Sequence, residues 1–269
     1  CSVSAIAGSL YLEYIHKAHS KIKIYSSEGE YIKDVELPSM GSANVYGYFS
    51  KPNIWITFSS FLIPLTTYKY NFDENKTDLF FKPPISLNIA DFNIEQIEYK
   101  SKDGTRVTMF ILYNKNIKRD GKNPVLLTGY GGFGVSMVPT FSAGYVAWLE
   151  AKGMVAIPNL RGGGEYGKKW HDSGKLEKKQ NAFNDFIAAA EWLINKKYTS
   201  PKKLAIFGES NGGLLVGAVT VQRPELFRVV DCAVPLLDML RYHKFSIANT
   251  WAVEYGSSEN PGQFKYIYK

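Results

Sequence analysis

The stretch KLAIFGESNGGLLVGAVTVQ, residues 203–222, reads as an apolar strand running into a helix through the turn Gly208-Glu209-Ser210-Asn211-Gly212. Taken alone, a GxSxG spacing marks only a glycine-rich turn and occurs by chance in many chains. Between a buried strand and a helix it becomes a nucleophile elbow, in which small flanking residues let the backbone bend sharply and lift the Ser210 hydroxyl above the sheet. That context makes Ser210 the expected nucleophile.

The same alternation extends outward on both sides. From Phe92, IEQIEYKSKDGTRVTMFILYNKN reads as a hairpin turning at Lys102, Asp103 and Gly104. The strands PVLLTGY, MVAIPNL, KLAIFGES and VVDCAVPLL then alternate with helices around TFSAGYVAWLEAKG and in NAFNDFIAAAEWLINKK and NGGLLVGAVTVQ. Short buried strands alternating with helices imply βαβ units and a parallel sheet. DMLRYHKF, 238–245, reads as one more helix.

The front of the chain follows another pattern. SLYLEYIHK, KIKIYSS, YIKDVELP, ANVYGYFS, NIWITFSS, TTYKYNF and DLFFKP are short runs rich in Tyr, Phe, Ile, Val and Thr, separated by turn residues. Seven or so such strands would form roughly two four-stranded blades, which bury their faces only against neighbours. The expected organisation is therefore 1–84 as partial β-propeller blades, 85–91 as a linker stopped by Pro83 and Pro84, and 92–269 as a partial α/β-hydrolase domain with an incomplete parallel sheet. The start at Cys1 reads as a truncation.

Composition narrows the function. The 269 residues are 45% hydrophobic and carry a net charge of +7. Residues 1–91 hold 8 Lys/Arg against 9 Asp/Glu, so subtraction from totals of 32 and 25 leaves 24 against 16 in the remainder. There Lys168, Lys169, Lys175, Lys178 and Lys179 are interleaved with Glu165, Asp172 and Glu177, which is unlike a nucleic-acid footprint. No apolar run approaches the roughly 18 residues of a membrane span. Two cysteines do not make a disulfide framework, which favours a cytoplasmic setting. Neither a cofactor nor a metal is expected; no nucleic acid, no membrane and a monomeric state are.

Attack by Ser210 creates an oxyanion that needs donors already aimed at it. One is the backbone N–H of Asn211, and the turn GYGGFG at 129–134, after the third strand of the second part, stands where the other arises. A plain glycine turn is the alternative reading of that segment. A base and an acid should follow in the order Ser, Asp or Glu, His. The one later histidine, His243, is preceded by Asp231 and Asp238, which lie in or just after the next strand rather than two strands further on, and it reads better as a helix-surface or hydrogen-bonding residue. His16, His19 and His171 precede Ser210.

The motifs GYGGF (129–133), NLRGGGEYG (159–167), DFIAAAEWL (185–193), GESNGG (208–213) and NTWAVEYG (249–256) resemble, in order, those of the prolyl oligopeptidases, serine peptidases whose hydrolase domain is capped by a seven-bladed propeller. The resemblance implies that the Tyr130 hydroxyl is the second oxyanion donor beside Asn211. It further implies that Trp251 stacks on a substrate proline, with Phe133, Tyr255 and Leu236 lining the same pocket. On that reading the full protein is a serine endopeptidase that cleaves short proline-containing peptides after proline. The family's Asp and His would lie beyond Lys269, and the fragment alone would be inactive. Alternatives are another α/β-hydrolase peptidase or esterase, of the acylaminoacyl, dipeptidyl or trypsin-like oligopeptidase kind, and a non-catalytic peptide-binding homologue.

Overall fold

Alternation of apolar and polar side chains builds strands such as His19–Tyr25, where Ile22 and Ile24 are buried while Lys21 is exposed and Lys23 half-buried. The computed structural model describes residues 2–85 and 89–268. β1 (Ser2–Ile6), β2 (Ser9–His16), β3 (His19–Tyr25) and β4 (Tyr31–Asp34) form one antiparallel sheet, and β5 (Ser42–Gly47), β6 (Ile54–Ser59), β7 (Thr66–Asn71) and β8 (Lys76–Phe81) form a second. β1 was not among the expected strands; its first residues are short and polar, and it is fixed by pairing with β2 from Ser2↔Glu13 to Ile6↔Ser9. Tyr11, Ile22 and Ile24 from one sheet share a core with Val45, Ile56, Phe58 and Tyr70 from the other. Each such side chain contributes roughly 1.5–3 kcal/mol when fully buried. On β8, by contrast, Leu79, Phe80 and Phe81 are exposed.

Two compact units emerge. The first runs to Ala90 and includes Val138–Ala147, and the second comprises Asp91–Met137 and the chain from Trp148 onward. The segment 138–147 is tied into the first unit by Ser42 Oγ, which donates to Pro139 O (2.9 Å), and by Phe141 N, which donates to Ser59 Oγ (3.0 Å). Of the expected linker 85–91, residues 86–88 lie outside the described residues; a short 3-10 turn, Ile89–Asp91, follows them.

The second unit holds a six-stranded sheet of β9 (Phe92–Lys100), β10 (Arg106–Asn114), β11 (Val125–Thr128), β12 (Met154–Pro158), β13 (Leu204–Glu209) and β14 (Val229–Ala233) in the order β14-β13-β11-β12-β10-β9. β11 to β14 are parallel, and the β9–β10 hairpin joins antiparallel to β12. Helix α1 (Ala143–Glu150) begins in the first unit's segment, and α2 (Lys168–Asp172), α3 (Gln180–Asn195), α4 (Asn211–Gln222), α5 (Ala252–Tyr255) and α6 (Pro261–Ile267) belong to the second. On α3, Phe186, Ala189, Ala190 and Leu193 recur at helical spacing and are buried, packing with Met154, Ala156, Ile206 and Leu215 in one core.

The topology locates the site. After β11 the chain goes to β12 on one side, then crosses to β13 on the other. A crevice opens at such a reversal beyond the carboxyl ends of the two central strands, here β11 and β13.

DMLRYHKF does not form the expected α-helix. It makes one 3-10 turn, Tyr242–Lys244, and Ser246 at φ 47° leaves the helical region. Tyr242 is buried there with its hydroxyl donating to Gly256 O, so tertiary anchoring overrides the apolar spacing that suggested a helix. Among the described residues no helix is long and apolar enough to cross a membrane.

Candidate active site

Ser210 sits between β13 and α4 with φ 57° and ψ −117°, a conformation that a non-glycine residue holds only under constraint. Its neighbours explain the spacing of the motif. A Cβ on Gly208 would lie 2.0 Å from Gly212 O, and one on Gly212 would lie 2.7 Å from Gly129 O, so both positions admit glycine alone. Ser210 N donates to Ala233 O (3.1 Å) at the end of β14, and Ser210 O accepts from Leu214 N (3.1 Å), which fixes the bend from both sides.

Asn211 is the first residue of α4, where backbone N–H groups have no acceptor one turn back and the helix presents its positive end. Its buried side chain has two ties. Nδ2 donates to Tyr130 O, and Oδ1 accepts from the Tyr255 hydroxyl (2.8 Å). Burial pushes the Tyr255 hydroxyl well above its ordinary pKa, which keeps it a donor. One amide thus connects the elbow to the turn after β11 and to α5. Tyr130 lies in that turn, and its ring approaches the Gly212 position.

The four residues proposed from the sequence as pocket lining come together. Phe133, Leu236 and Trp251 pack against a cluster of Leu214, Tyr242, Ala248 and Tyr255. Phe133 meets Tyr255 edge to face, with ring centroids 5.5 Å apart at 87°.

The second unit also holds buried charge that the motif reading did not single out. Arg161 forms an ion pair with Asp185 (2.6 Å) and with Asp103 (2.5 Å), and donates to Ser101. The hydrogen bonds from Arg161 hold the Asp103 carboxyl down at about 2. Glu165 accepts from Met137 N (2.7 Å), while its Oε2 is buried without a partner, and burial raises its pKa. Glu254, on α5, contacts both His171 and Lys179. The partners in these networks lie tens of residues apart, so only the fold reveals them.

Among the described residues no histidine is hydrogen-bonded to Ser210. His171 meets Glu254, and His16 and His19 lie on β2 and β3 of the first unit. His243 has Nε2 3.3 Å from Glu259 Oε1, but both its ring nitrogens are buried without hydrogen-bond geometry. Asp238 pairs with Arg241, and Asp231 is exposed on β14. No group of three or more His, Cys, Asp or Glu side chains among the described residues is arranged to hold a metal ion.

An elbow serine at the switch point of an α/β sheet, in a chain that also carries two four-stranded antiparallel sheets, defines a hydrolase-fold domain accompanied by propeller blades. Residues 139–269 match the prolyl oligopeptidase family, and residues 2–83 match the prolyl oligopeptidase N-terminal beta-propeller domain. The chain belongs to the prolyl oligopeptidase family. It is 42% identical over 267 residues to a prolyl endopeptidase of Elizabethkingia miricola, a match covering 98% of this chain and 38% of that protein. With a prolyl endopeptidase of Dictyostelium discoideum it shares 41% identity over 96% of this chain and 35% of the relative. Among solved structures it resembles one from a study of two prolyl endopeptidases (TM-score 0.94, 49% identity, 100% of this chain and 40% of that one). A post-proline cleaving enzyme from Rickettsia typhi is similar at TM-score 0.89 and 37% identity, over 99% of this chain and 39% of that one. The chain therefore spans well under half the length of these relatives.

Proposed function

We propose that the whole protein is a serine endopeptidase that cleaves short peptides after proline, with Ser210 as its nucleophile. The observation that carries this reading is the meeting of the Ser210 elbow, the turn bearing Tyr130 and the aromatic cluster of Phe133, Trp251 and Tyr255 through the side chain of Asn211. Relatives bearing the name prolyl endopeptidase support it.

In this mechanism Ser210 Oγ adds to the carbonyl carbon of the substrate proline, and its proton passes to a base. The oxyanion that forms takes hydrogen bonds from Asn211 N–H and the Tyr130 hydroxyl. Collapse breaks the peptide bond and releases the amine, leaving a proline ester on Ser210 that water then hydrolyses. Trp251 offers a flat apolar face to the proline ring, whose nitrogen brings no N–H to satisfy; Phe133, Tyr255 and Leu236 close around it. The base and its acid are assigned to parts of the whole protein outside these 269 residues, and the protein is taken to act as a cytoplasmic monomer. On this reading the 269-residue chain alone is inactive, since a serine without a neighbouring base is a weak nucleophile.

Three arms test the assignment. A Gly-Pro-type peptide should be turned over by the full-length protein, not by its Ser210→Ala variant and not by the 269-residue chain. In the full-length protein, Tyr130→Phe should lower kcat by roughly 10² to 10³ fold with little change in KM, the usual scale for one oxyanion donor. Trp251→Ala should cost more than about tenfold in kcat/KM on a proline substrate and much less on a matched alanine substrate. A full-length protein that binds proline peptides without cleaving them would instead indicate a non-catalytic homologue. An unchanged proline-to-alanine ratio in Trp251→Ala would reduce Trp251 to core packing.

A further inference from the structure

Glu254 is 1% exposed and stands between Trp251 and Tyr255 in the sequence. Its two oxygens are separately engaged: Oε1 by Lys179 Nζ at 3.1 Å and Oε2 by His171 Nε2 at 2.7 Å. Both partners reach onward to the same turn. Lys179 Nζ also donates to Gly131 O at 3.0 Å, and the His171 ring lies 3.8 Å from where a Cβ of Gly134 would be. Lys179 further sits 5.3 Å over the Tyr255 ring.

The turn so held is the one that carries Tyr130, and it does not rest in an easy conformation. Gly131, Phe133 and Gly134 all have positive φ, at 64°, 56° and 65°. For Phe133 that is costly, on the order of 1–3 kcal/mol, and persists only where the surroundings over-determine it. Burying the Glu254 carboxylate and the Lys179 ammonium is costly as well, and an apolar pair of similar volume would often serve stability equally. What an apolar pair would not provide is a directional link between the backbone of this turn and α5.

We infer that Lys179, Glu254 and His171 are positioning residues that lock the turn bearing Tyr130 to the wall bearing Trp251 and Tyr255, so that a proline ring seated on that wall also sets the oxyanion donor. The inference rests on the post-proline reading above. Its consequence is kinetic: occupancy of the pocket by proline is expressed in kcat and not only in KM, because part of the binding interaction is realised only as the oxyanion forms.

The experiment compares kcat and KM for matched proline and alanine peptides in the full-length protein and in Glu254→Gln and Lys179→Met. The wild type should show a kcat advantage for proline. Both variants should lose about tenfold or more of that advantage while KM for the proline peptide changes less than about threefold. The double variant should be no worse than the poorer single one, since groups acting as a unit are not additive. His171→Gln, which keeps an N–H donor for Glu254, should retain most of the advantage. Equal losses on proline and alanine peptides, a change confined to KM, or normal kinetics would each overturn the inference. If Glu254→Gln fails to fold by circular dichroism, Lys179→Met decides; failure of both to fold assigns the cluster to stability and overturns the inference too. A folded wild type that cleaves peptides without favouring proline defeats the post-proline reading first, and this inference with it.

Discussion

Among the described residues, the buried polar side chains of the first unit are the hydroxyls of Ser59, Ser60 and Thr66, whereas the second unit buries Arg161, Glu165, Asp185 and Glu254 together with Asn159 and Asn211. The first unit can be explained by alternation and apolar packing. The second accepts groups that are expensive to remove from water, and all four of those charged residues lie within the motifs at 159–167, 185–193 and 249–256. Buried charge is weak support for stability, because the desolvation cost offsets much of the attraction. Its concentration in one unit teaches that this half is built to fix particular backbone segments relative to one another, while the other is built simply to be compact.

The comparison can be broken most directly at Arg161. Replacement by Met removes the cation paired with Asp185, whose side chain has no exposure and keeps only the backbone N–H of residue 161, so Arg161→Met should cost about 3–5 kcal/mol of stability. Urea titration of the chain is the measurement, and the loss should appear in the helical circular dichroism signal that the second unit supplies. A cost below about 1 kcal/mol would mean that Asp185 finds water or another donor and that the network is dispensable.

A smaller effect is expected from acid. The Arg161 hydrogen bonds depress Asp103 from its usual range near 4 to about 2. A group whose folded pKa is depressed contributes stability above its unfolded pKa and loses it as pH falls through the folded one, so this contribution should fade between about pH 4 and pH 2. Asp103→Asn should flatten the acid limb of the stability curve in that window, leaving the curve between pH 5 and 7 parallel to wild type. Because the Asp103 side chain is 45% exposed, solvent screening limits the size of the effect. An acid limb unchanged by the substitution would remove Asp103 from the network.

In the first unit the expected effect is of opposite sign. Tyr11 is fully buried with an unpartnered hydroxyl. Tyr11→Phe removes a group that has lost its water and gained nothing in return, so thermal melting should show stability unchanged or raised by up to about 1–3 kcal/mol. A clear loss would reveal a polar contact in the first unit and weaken the contrast between the two halves.

Much of this architecture was legible in the sequence because its two parts differ in pattern. Short runs rich in Tyr, Phe, Ile, Val and Thr between turn residues marked the strands from Ser9 to Phe81, and apolar strands alternating with helical segments marked β11 to β14 and the helices α3 and α4. β1 escaped because SVSAI offers little apolar contrast, and 238–245 misled because Met239, Tyr242 and Phe245 are spaced as a helix face while the chain turns to anchor Tyr242. At the candidate site, the elbow motif pointed to Ser210 and Asn211, and the family resemblance to Tyr130 and the aromatic patch, whose roles stay proposals. The link between Lys179 and Glu254 was not, because 75 residues separate the partners and nothing local distinguishes a lysine that will be buried from its solvated neighbours Lys175 and Lys178. Glu254 carried one faint signal, an acidic residue inside an otherwise apolar and aromatic stretch.

The backbone at Ser210 imposes opposite preferences on one position. At φ 57° and ψ −117° the fold alone would favour glycine, whereas peptide cleavage requires a hydroxyl. On the proposed peptidase reading, selection for turnover is what keeps serine there against that preference. Lineages in which that selection lapses should therefore drift toward glycine at this codon sooner than at Gly208 or Gly212, where the close approaches of Gly212 O and Gly129 O exclude any side chain. A relative reading G-x-G-x-G across the elbow, with its other motifs intact, would be a molecule that kept the scaffold after abandoning the reaction.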